Sequence, residues 1–227
     1  MSDFILIHST GEAPACWRRL STALELHEHR THPVDLPVDR PELLGADYAN
    51  IMREQVGHIT EPIVLAHSGS GTLLPAASKA LKARHRVWLA AWVPNSHASF
   101  MEEVRANPTQ IFNPDWIGKD PTNDSSVAIN FLYHDCDQAT IDWALRTRRL
   151  FVPLAVYNQR IVLDDEVPSS YIVASGDRTI RPNWQRRMAR ERLRIEPLEI
   201  ATGHLPHVSA PERLAELLAH IAVTMKA

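Results

Sequence analysis

Ser68, Asp177 and His204 are far apart in the chain, yet each lies beside a glycine and just beyond an apolar run. A serine hydroxyl is a weak nucleophile at neutral pH. A histidine within hydrogen-bond reach can take its proton, and a carboxylate can fix the imidazole tautomer and stabilise its charged form. The segment LAHSGSG, Leu65 to Gly71, leads from the apolar run Pro62 to Leu65 into a helical pattern over Thr72 to Leu81, so Ser68 is expected at a strand-to-helix turn. Such a turn lifts the side chain at its apex clear of a sheet and needs small neighbours, the usual pattern being G-x-S-x-G. Ala66 and Ser70 stand in the outer positions here, small enough to be admitted although each carries a β-carbon. Asp177 follows the predicted strand Tyr171 to Ser175 through Gly176, and His204 follows one near Ile195 to Ile200 through Ala201-Thr202-Gly203. A nucleophile, an acid and a base thus fall on loops after strands, in the chain order serine, aspartate, histidine.

The other histidines have plainer readings. His67 packs across the turn, and His8 ends the first strand and holds the loop after it in shape. His207 competes with His204 for the role of base, but only His204 directly follows the glycine. His27, His29 and His32 lack the i, i+4 spacing that sets two metal ligands on one helix face. Partly charged histidines near a helix C-terminus account for them better. In the run His134-Asp135-Cys136-Asp137, Asp137 is expected to cap the helix from Ala139, and His134 is a candidate to line a pocket. Phe112 and Trp116 read as packing residues, with Trp116 carried as a candidate substrate contact. No metal and no cofactor is expected.

The elements that must position these residues are those of one domain. A chain of 227 residues, 44% apolar, is long enough to bury a full core, and residues 1–227 are read as a single unit. Lys plus Arg total 24 against 27 for Asp plus Glu; a formal charge of -3 gives no field to attract nucleic acid or an anionic membrane. The Arg-dense stretch Arg181 to Arg194 has the spacing of the wet face of an amphipathic helix. Two cysteines, Cys16 and Cys136, make neither a disulfide framework nor a thiolate metal site. The start Met1-Ser2-Asp3 runs straight into an apolar strand, and no run approaches the ~20 apolar residues of a membrane span, so a cytoplasmic protein is expected. The expected partner is a small-molecule substrate, and the sequence is compatible with a homodimer.

Strand and helix patterns alternate. Phe4 to Ile7 is a buried strand, Trp17 to His27 a helix, Val34 to Leu36 a short strand, and the apolar positions from Leu44 to Ile59 a second helix before a strand at Ile63. Val87 to Val93 is a further strand. The rhythm then breaks: residues 95–165 carry prolines, scattered aromatics and short helical pieces such as Ala139 to Arg148, as an inserted cap would. After Tyr171 to Ser175 come a helix from Pro182 to about Arg192, the strand near Ile195, and a last helix with a Ser209/Glu212 capping box and a Leu214, Leu217, Leu218, Ile221 stripe. The fold class is α/β: a mostly parallel central sheet with helices on both faces and an inserted helical cap.

With FILIHST, LAHSGSG, WLAAWVP, YIVASGDRTIRPNWQRRMA and the GH of Gly203-His204, the chain resembles the α/β-hydrolases over nearly its whole length. It is most similar to the short capped group of plant-type methylesterases, hydroxynitrile lyases and bacterial esterase-like relatives. That resemblance implies a Ser68, Asp177, His204 triad and backbone oxyanion donors at Gly69 and Thr10. It also marks departures. Ser9 stands where esterases of the group usually have glycine and the lyases have threonine, so its hydroxyl is a candidate substrate contact. Leu205 follows His204 where the lyases have lysine, and Ala90 replaces an aspartate common in relatives. Three functions follow: a serine hydrolase of the esterase, thioesterase or lactonase type on an apolar carbonyl substrate; a lyase or other tailoring enzyme using Ser68 and His204 to move a proton; or a non-catalytic ligand-binding fold.

Overall fold

Short runs dense in branched and aromatic residues form strands covered on both faces, as a parallel sheet requires. In a computed structural model describing residues 1–164 and 166–224, the elements in chain order are β1 (Asp3–Ile7), α1 (Arg18–Leu26), β2 (Arg30–Pro33), α2 (Gly45–Val56), β3 (Ile63–His67), α3 (Leu74–Ala80) and β4 (His85–Leu89). Then come α4 (Phe100–Ala106), α5 (Pro108–Ile111), α6 (Ser125–Phe131), α7 (Gln138–Arg146), α8 (Leu154–Asn158), β5 (Ser169–Ala174), α9 (Pro182–Arg192), β6 (Leu198–Ile200), α10 (Pro206–Ser209) and α11 (Pro211–Thr224). The sheet is six-stranded in the order β2-β1-β3-β4-β5-β6, and every pairing is parallel.

Alternation along the strands divides the core. Phe4, Leu6, Ile63 and Leu65 face one way and pack with Trp17 and Leu20 and with Leu214, Leu218 and Ile221 of α11. Ile5, Ile7, Val64 and Ala66 face the other way, against Tyr48 and Met52 of α2 and Trp184 and Met188 of α9. Helices therefore cover both faces, and the loops at the C-terminal ends of the strands are left to build a site. Arg187 and Arg190 of α9 lie outward and pair with Glu191 and Glu196, whereas Arg192 turns inward over Trp92 and Trp184 and pairs with Glu103.

Several boundaries differ from the sequence reading for physical reasons. The second strand is Arg30–Pro33, not Val34 to Leu36: it lies at the sheet edge, where one side faces water, and the apolar Val34 and Leu36 are buried side chains of the loop after it. The fourth strand stops at Leu89 because Ala90 turns to φ +43°. The buried stretch beyond it serves the serine turn instead: Trp92 N–H donates to the Ser68 carbonyl at 2.9 Å. The expected capping box is not formed. Ser209 closes the short turn α10, its hydroxyl donating to the Leu205 carbonyl at 3.3 Å, and α11 starts with Pro211 in its first turn, where a missing N–H costs nothing. Asp137 caps α7 as expected, accepting from Thr140 N–H at 2.7 Å.

Between β4 and β5 the described residues make α4 to α8 and no ladder strand. Position 165, the expected end of the insertion, and 225–227, the expected end of the domain, lie outside the described residues. Among the described residues no helix is long and apolar enough to cross a membrane.

Candidate active site

At the end of β3 the chain reverses within one residue. Ser68 takes φ 55°, a left-handed conformation that an L-residue adopts only when its surroundings impose it. A tight 3-10 turn over Ser68–Leu73 then feeds α3. The two residues that replace the usual glycines fit for separate reasons. Ala66 is a strand residue buried in the core, and Ser70 uses its hydroxyl, which donates to the His8 carbonyl at 2.6 Å and so fastens the turn to the loop after β1. The glycine that close approach demands is Gly71, where a Cβ would collide with the Trp92 carbonyl.

The loops after β5 and β6 bring Asp177 and His204 to this turn. His204 Nδ1 lies 2.6 Å from Asp177 Oδ2, and His204 Nε2 lies 2.9 Å from Ser68 Oγ. The carboxylate only accepts, so Nδ1 carries the ring hydrogen and Nε2 presents its lone pair to the serine hydroxyl. Asp177 is held by further donors: Oδ1 accepts from Thr179 N–H at 2.7 Å, Thr179 Oγ1–H at 2.9 Å and Ile180 N–H at 3.1 Å, and Oδ2 accepts from Gln185 Nε2 at 2.7 Å. Both side chains are almost wholly buried, with the serine side open. The base loop is pinned from behind, where Asp135 accepts from Gly203 N–H at 2.6 Å.

Beside Ser68 the loop after β1 places Thr10 against Gly69. Tyr157 of α8 fits into the gap: its hydroxyl shares a 2.7 Å hydrogen bond with Thr10 Oγ1, and a Cβ on Gly69 would strike that same hydroxyl. Burial pushes the Tyr157 phenol up to about 12, so it stays protonated at neutral pH. A cavity of about 420 Å³ opens above Ser68, its walls drawn from both the strand-end loops and the insertion. Ser9, Thr10, Gly69, His204 and Leu205 form its floor, Trp92, Phe100, Phe112, Trp116 and Tyr157 its aromatic sides, and Lys119 and Asp120 stand on its wall. Edge-on and tilted ring contacts join Trp92 to Phe100 and Phe100 to Tyr157, with centroids 4.8 and 4.4 Å apart.

The structure thus gathers Ser68, Asp177, His204, Thr10, Gly69, Ser9, Trp116 and Leu205 at one place. His134 is the exception. It is absent from the cavity wall and stands behind the base loop, its Nε2 2.8 Å from where a Cβ on Gly203 would sit. The run around it points its neighbour Asp135 at the Gly203 amide instead. Ser9 lines the cavity, but its hydroxyl donates to Glu12 Oε2 at 2.8 Å. The sequence reading missed Glu12, Tyr157, Gln185 and Asp135. Gln185 was within reach, since it lies one helical turn inside a helix that begins just after Asp177; the others meet the site only through tertiary packing.

Glu12, His67 and His207 form a second polar cluster under the first. Glu12 Oε1 lies 2.9 Å from His207 Nε2, Glu12 Oε2 lies 3.2 Å from His67 Nδ1, and His67 Nε2 lies 2.8 Å from the main-chain carbonyl of His204. All three side chains are buried.

The sheet order, the serine turn and the placement of an acid and a base on later strand ends define an α/β-hydrolase, and the chain belongs to the alpha/beta hydrolase family, whose model matches residues 4–217. Among solved structures it is similar to polyneuridine aldehyde esterase, with 19% identity and a TM-score of 0.82, covering 98% of this chain and 99% of that one. It is similar also to tomato methylketone synthase I, with 18% identity, a TM-score of 0.78, and 99% and 98% covered. The Arabidopsis methylesterase MES16 follows the same course at 16% identity and a TM-score of 0.76, with 99% and 100% covered. No curated protein sequence matches the chain.

Proposed function

We propose that the protein is a serine hydrolase for a small to medium, largely apolar carbonyl substrate: a carboxylic ester, thioester or lactone. The observation that carries this reading is the continuous run from Ser68 Oγ through both nitrogens of His204 to Asp177, with steps of 2.9 and 2.6 Å. Ser68 Oγ bonds to the substrate carbonyl carbon while its proton passes to His204 Nε2; Asp177 keeps the imidazole in the required tautomer and offsets its charge. The oxyanion lies between the backbone N–H groups of Thr10 and Gly69, an arrangement in which one donor is worth roughly 10²–10³ in rate. Collapse of the tetrahedral intermediate breaks the bond to the leaving alcohol or thiol, which takes the proton from His204. Water then repeats the sequence on the acyl-serine and releases the acid.

The aromatic walls and the 420 Å³ cavity suit a substrate of drug-like size with an apolar body. Residues 95–165, within a single domain 1–227, act as the cap that closes over it. The solved relatives named as esterases and as a methylesterase fit this reading. The alternative, elimination with Ser9 serving a substrate oxygen, is less well supported, because the Ser9 hydroxyl already donates to Glu12. A fluorophosphonate probe tests the proposal. Mass spectrometry is expected to find the adduct on Ser68 and an ester panel to show turnover that the adduct abolishes; folded protein that takes no label on Ser68 overturns it.

A further inference from the structure

The cluster beneath the site holds a proton-counting problem. His67 Nε2 faces the main-chain carbonyl of His204, which can only accept, so Nε2 must carry a hydrogen. His67 Nδ1 faces Glu12 Oε2 at 3.2 Å, and that oxygen already accepts from Ser9. Burial presses His67 toward its neutral form, with a pKa near 4. Burial also raises Glu12, but the charge and hydrogen bond of His207, with the bond to His67, hold it well below the usual carboxylate range. Taken one at a time these tendencies leave two lone pairs facing each other in a dry interior. One proton between the two atoms removes that conflict and leaves the buried pair without net charge.

We propose that Glu12 is a positioning residue: Glu12 and His67 hold one proton between them, and through the Nε2–H of His67 they fix the main chain at His204. Glu12 also accepts from Ser9 on the loop after β1 and faces His207 on α10, so one carboxylate ties together the loop bearing Thr10, the strand ending at Ser68 and the segment bearing His204. Removing it loosens all of these at once. The spacing of Glu12, His67 and His207, with ligand atoms within 4.8 Å, could also suit a cation. Here, however, each of those atoms is engaged by another member of the cluster, as in a hydrogen-bond hub. The role in catalysis rests on the hydrolase reading; the proton count does not.

Two measurements test it. In the wild-type protein labelled with ¹⁵N-histidine, His67 is expected to show a slowly exchanging Nε2–H together with an Nδ1 resonance shifted by a shared hydrogen; a bare Nδ1 beside an ionised Glu12, or a ring protonated at Nδ1 alone, overturns the proposal without any variant. Glu12→Ala removes the carboxylate and with it the contacts to Ser9, His67 and His207. It is expected to lower kcat and the rate of Ser68 phosphonylation about 10- to 100-fold with KM little changed, because displacement of catalytic groups by about 1 Å costs that much. Glu12→Gln, whose amide N–H can stand in for the shared proton at His67 Nδ1, is expected to recover part of the loss, and Glu12→Ala with His67→Gln to be no worse than either alone, as coupled residues behave. Glu12→Ala labelled at the wild-type rate overturns the positioning role. Wild-type protein that takes no label overturns the hydrolase reading instead and leaves the His67 resonance to decide the proton count.

Discussion

Two buried histidine–carboxylate couples lie side by side, Asp177 with His204 and Glu12 with His67, their rings 4.8 Å apart, and Glu12 faces His207 as well. In both, Nδ1 meets the carboxylate. They differ in what Nε2 meets: a serine hydroxyl for His204 and a main-chain carbonyl for His67. A hydroxyl can give up its proton to the ring, so the first couple can perform general-base chemistry; a carbonyl has none to give, so the second can only hold position. Residue type and pairing are therefore insufficient to mark a catalytic histidine, and the atom at the far nitrogen decides.

The largest effect expected from breaking this contrast is at the first couple. Asp177→Asn keeps size and most packing but can present an amide N–H to His204 Nδ1, which stabilises the wrong tautomer; a loss of about 10⁴ in kcat is expected. Steady-state kinetics on a responsive ester measures it, with circular dichroism confirming the fold. A loss below about tenfold would mean that the first couple, like the second, only holds position.

How much of this contrast can be read from sequence depends on distance along the chain. Ser68, Asp177 and His204 are legible because each is fixed locally, by an apolar run, a tight turn and a glycine. The parallel sheet follows from its apolar runs in the same way. The edge strand Arg30–Pro33 is not legible, since its polar residues carry no apolar pattern. Glu12 looks like any loop acid, and only the packing of α10 and β3 against the loop after β1 turns it into the centre of a cluster. Tyr157 is hidden for the same reason: nothing in the insertion's irregular sequence tells which aromatic will reach Gly69. His134 misled the reading because a histidine beside two acids has the composition of a site while its neighbour Asp135 does the binding.

Next in size is the oxyanion side. Gly69→Ala sets a Cβ against the Tyr157 hydroxyl and must displace either that ring or the Gly69 amide. A fall of about 10²-fold in kcat is expected, the scale set by losing one oxyanion donor. If the clash is the cause, adding Tyr157→Phe recovers part of the loss; if the double variant is as slow as the single, the amide itself has moved.

A histidine outside both couples supplies the background for pH experiments. Buried His85 on β4 faces Ser170 Oγ at 2.8 Å, and burial, then the charge of Arg84, lowers its pKa to about 4. An unfolded histidine titrates near 6.5, so below that pH the unfolded chain binds the extra proton and the folded one does not. Stability is thus full above about pH 6.5 and is lost as pH falls toward 4, by about 2 kcal/mol between pH 7 and 5 from this group alone. Urea unfolding at those two pH values measures it. His85→Gln is expected to flatten the slope; an unchanged slope would assign the acid loss to other groups, the buried Glu12–His67 couple first among them.

The smallest expected effect separates backbone from side-chain stabilisation of the oxyanion. Tyr157 and Thr10 share one hydrogen bond at 2.7 Å, and either hydroxyl can be the donor. If Tyr157 donates, the Thr10 hydroxyl hydrogen is free to turn into the cavity; if Thr10 donates, the phenol hydrogen is. Tyr157→Phe removes the pairing yet keeps the ring against Phe100, and the amides of Thr10 and Gly69 remain. A hydrogen bond of net value about 1 kcal/mol translates into a change of roughly fivefold or less in kcat/KM. A fall near 10²-fold would instead make the phenol a donor to the developing oxyanion, since that is the scale of losing one such donor. In that case the insertion would contribute to the chemistry itself as well as to the shape of the pocket.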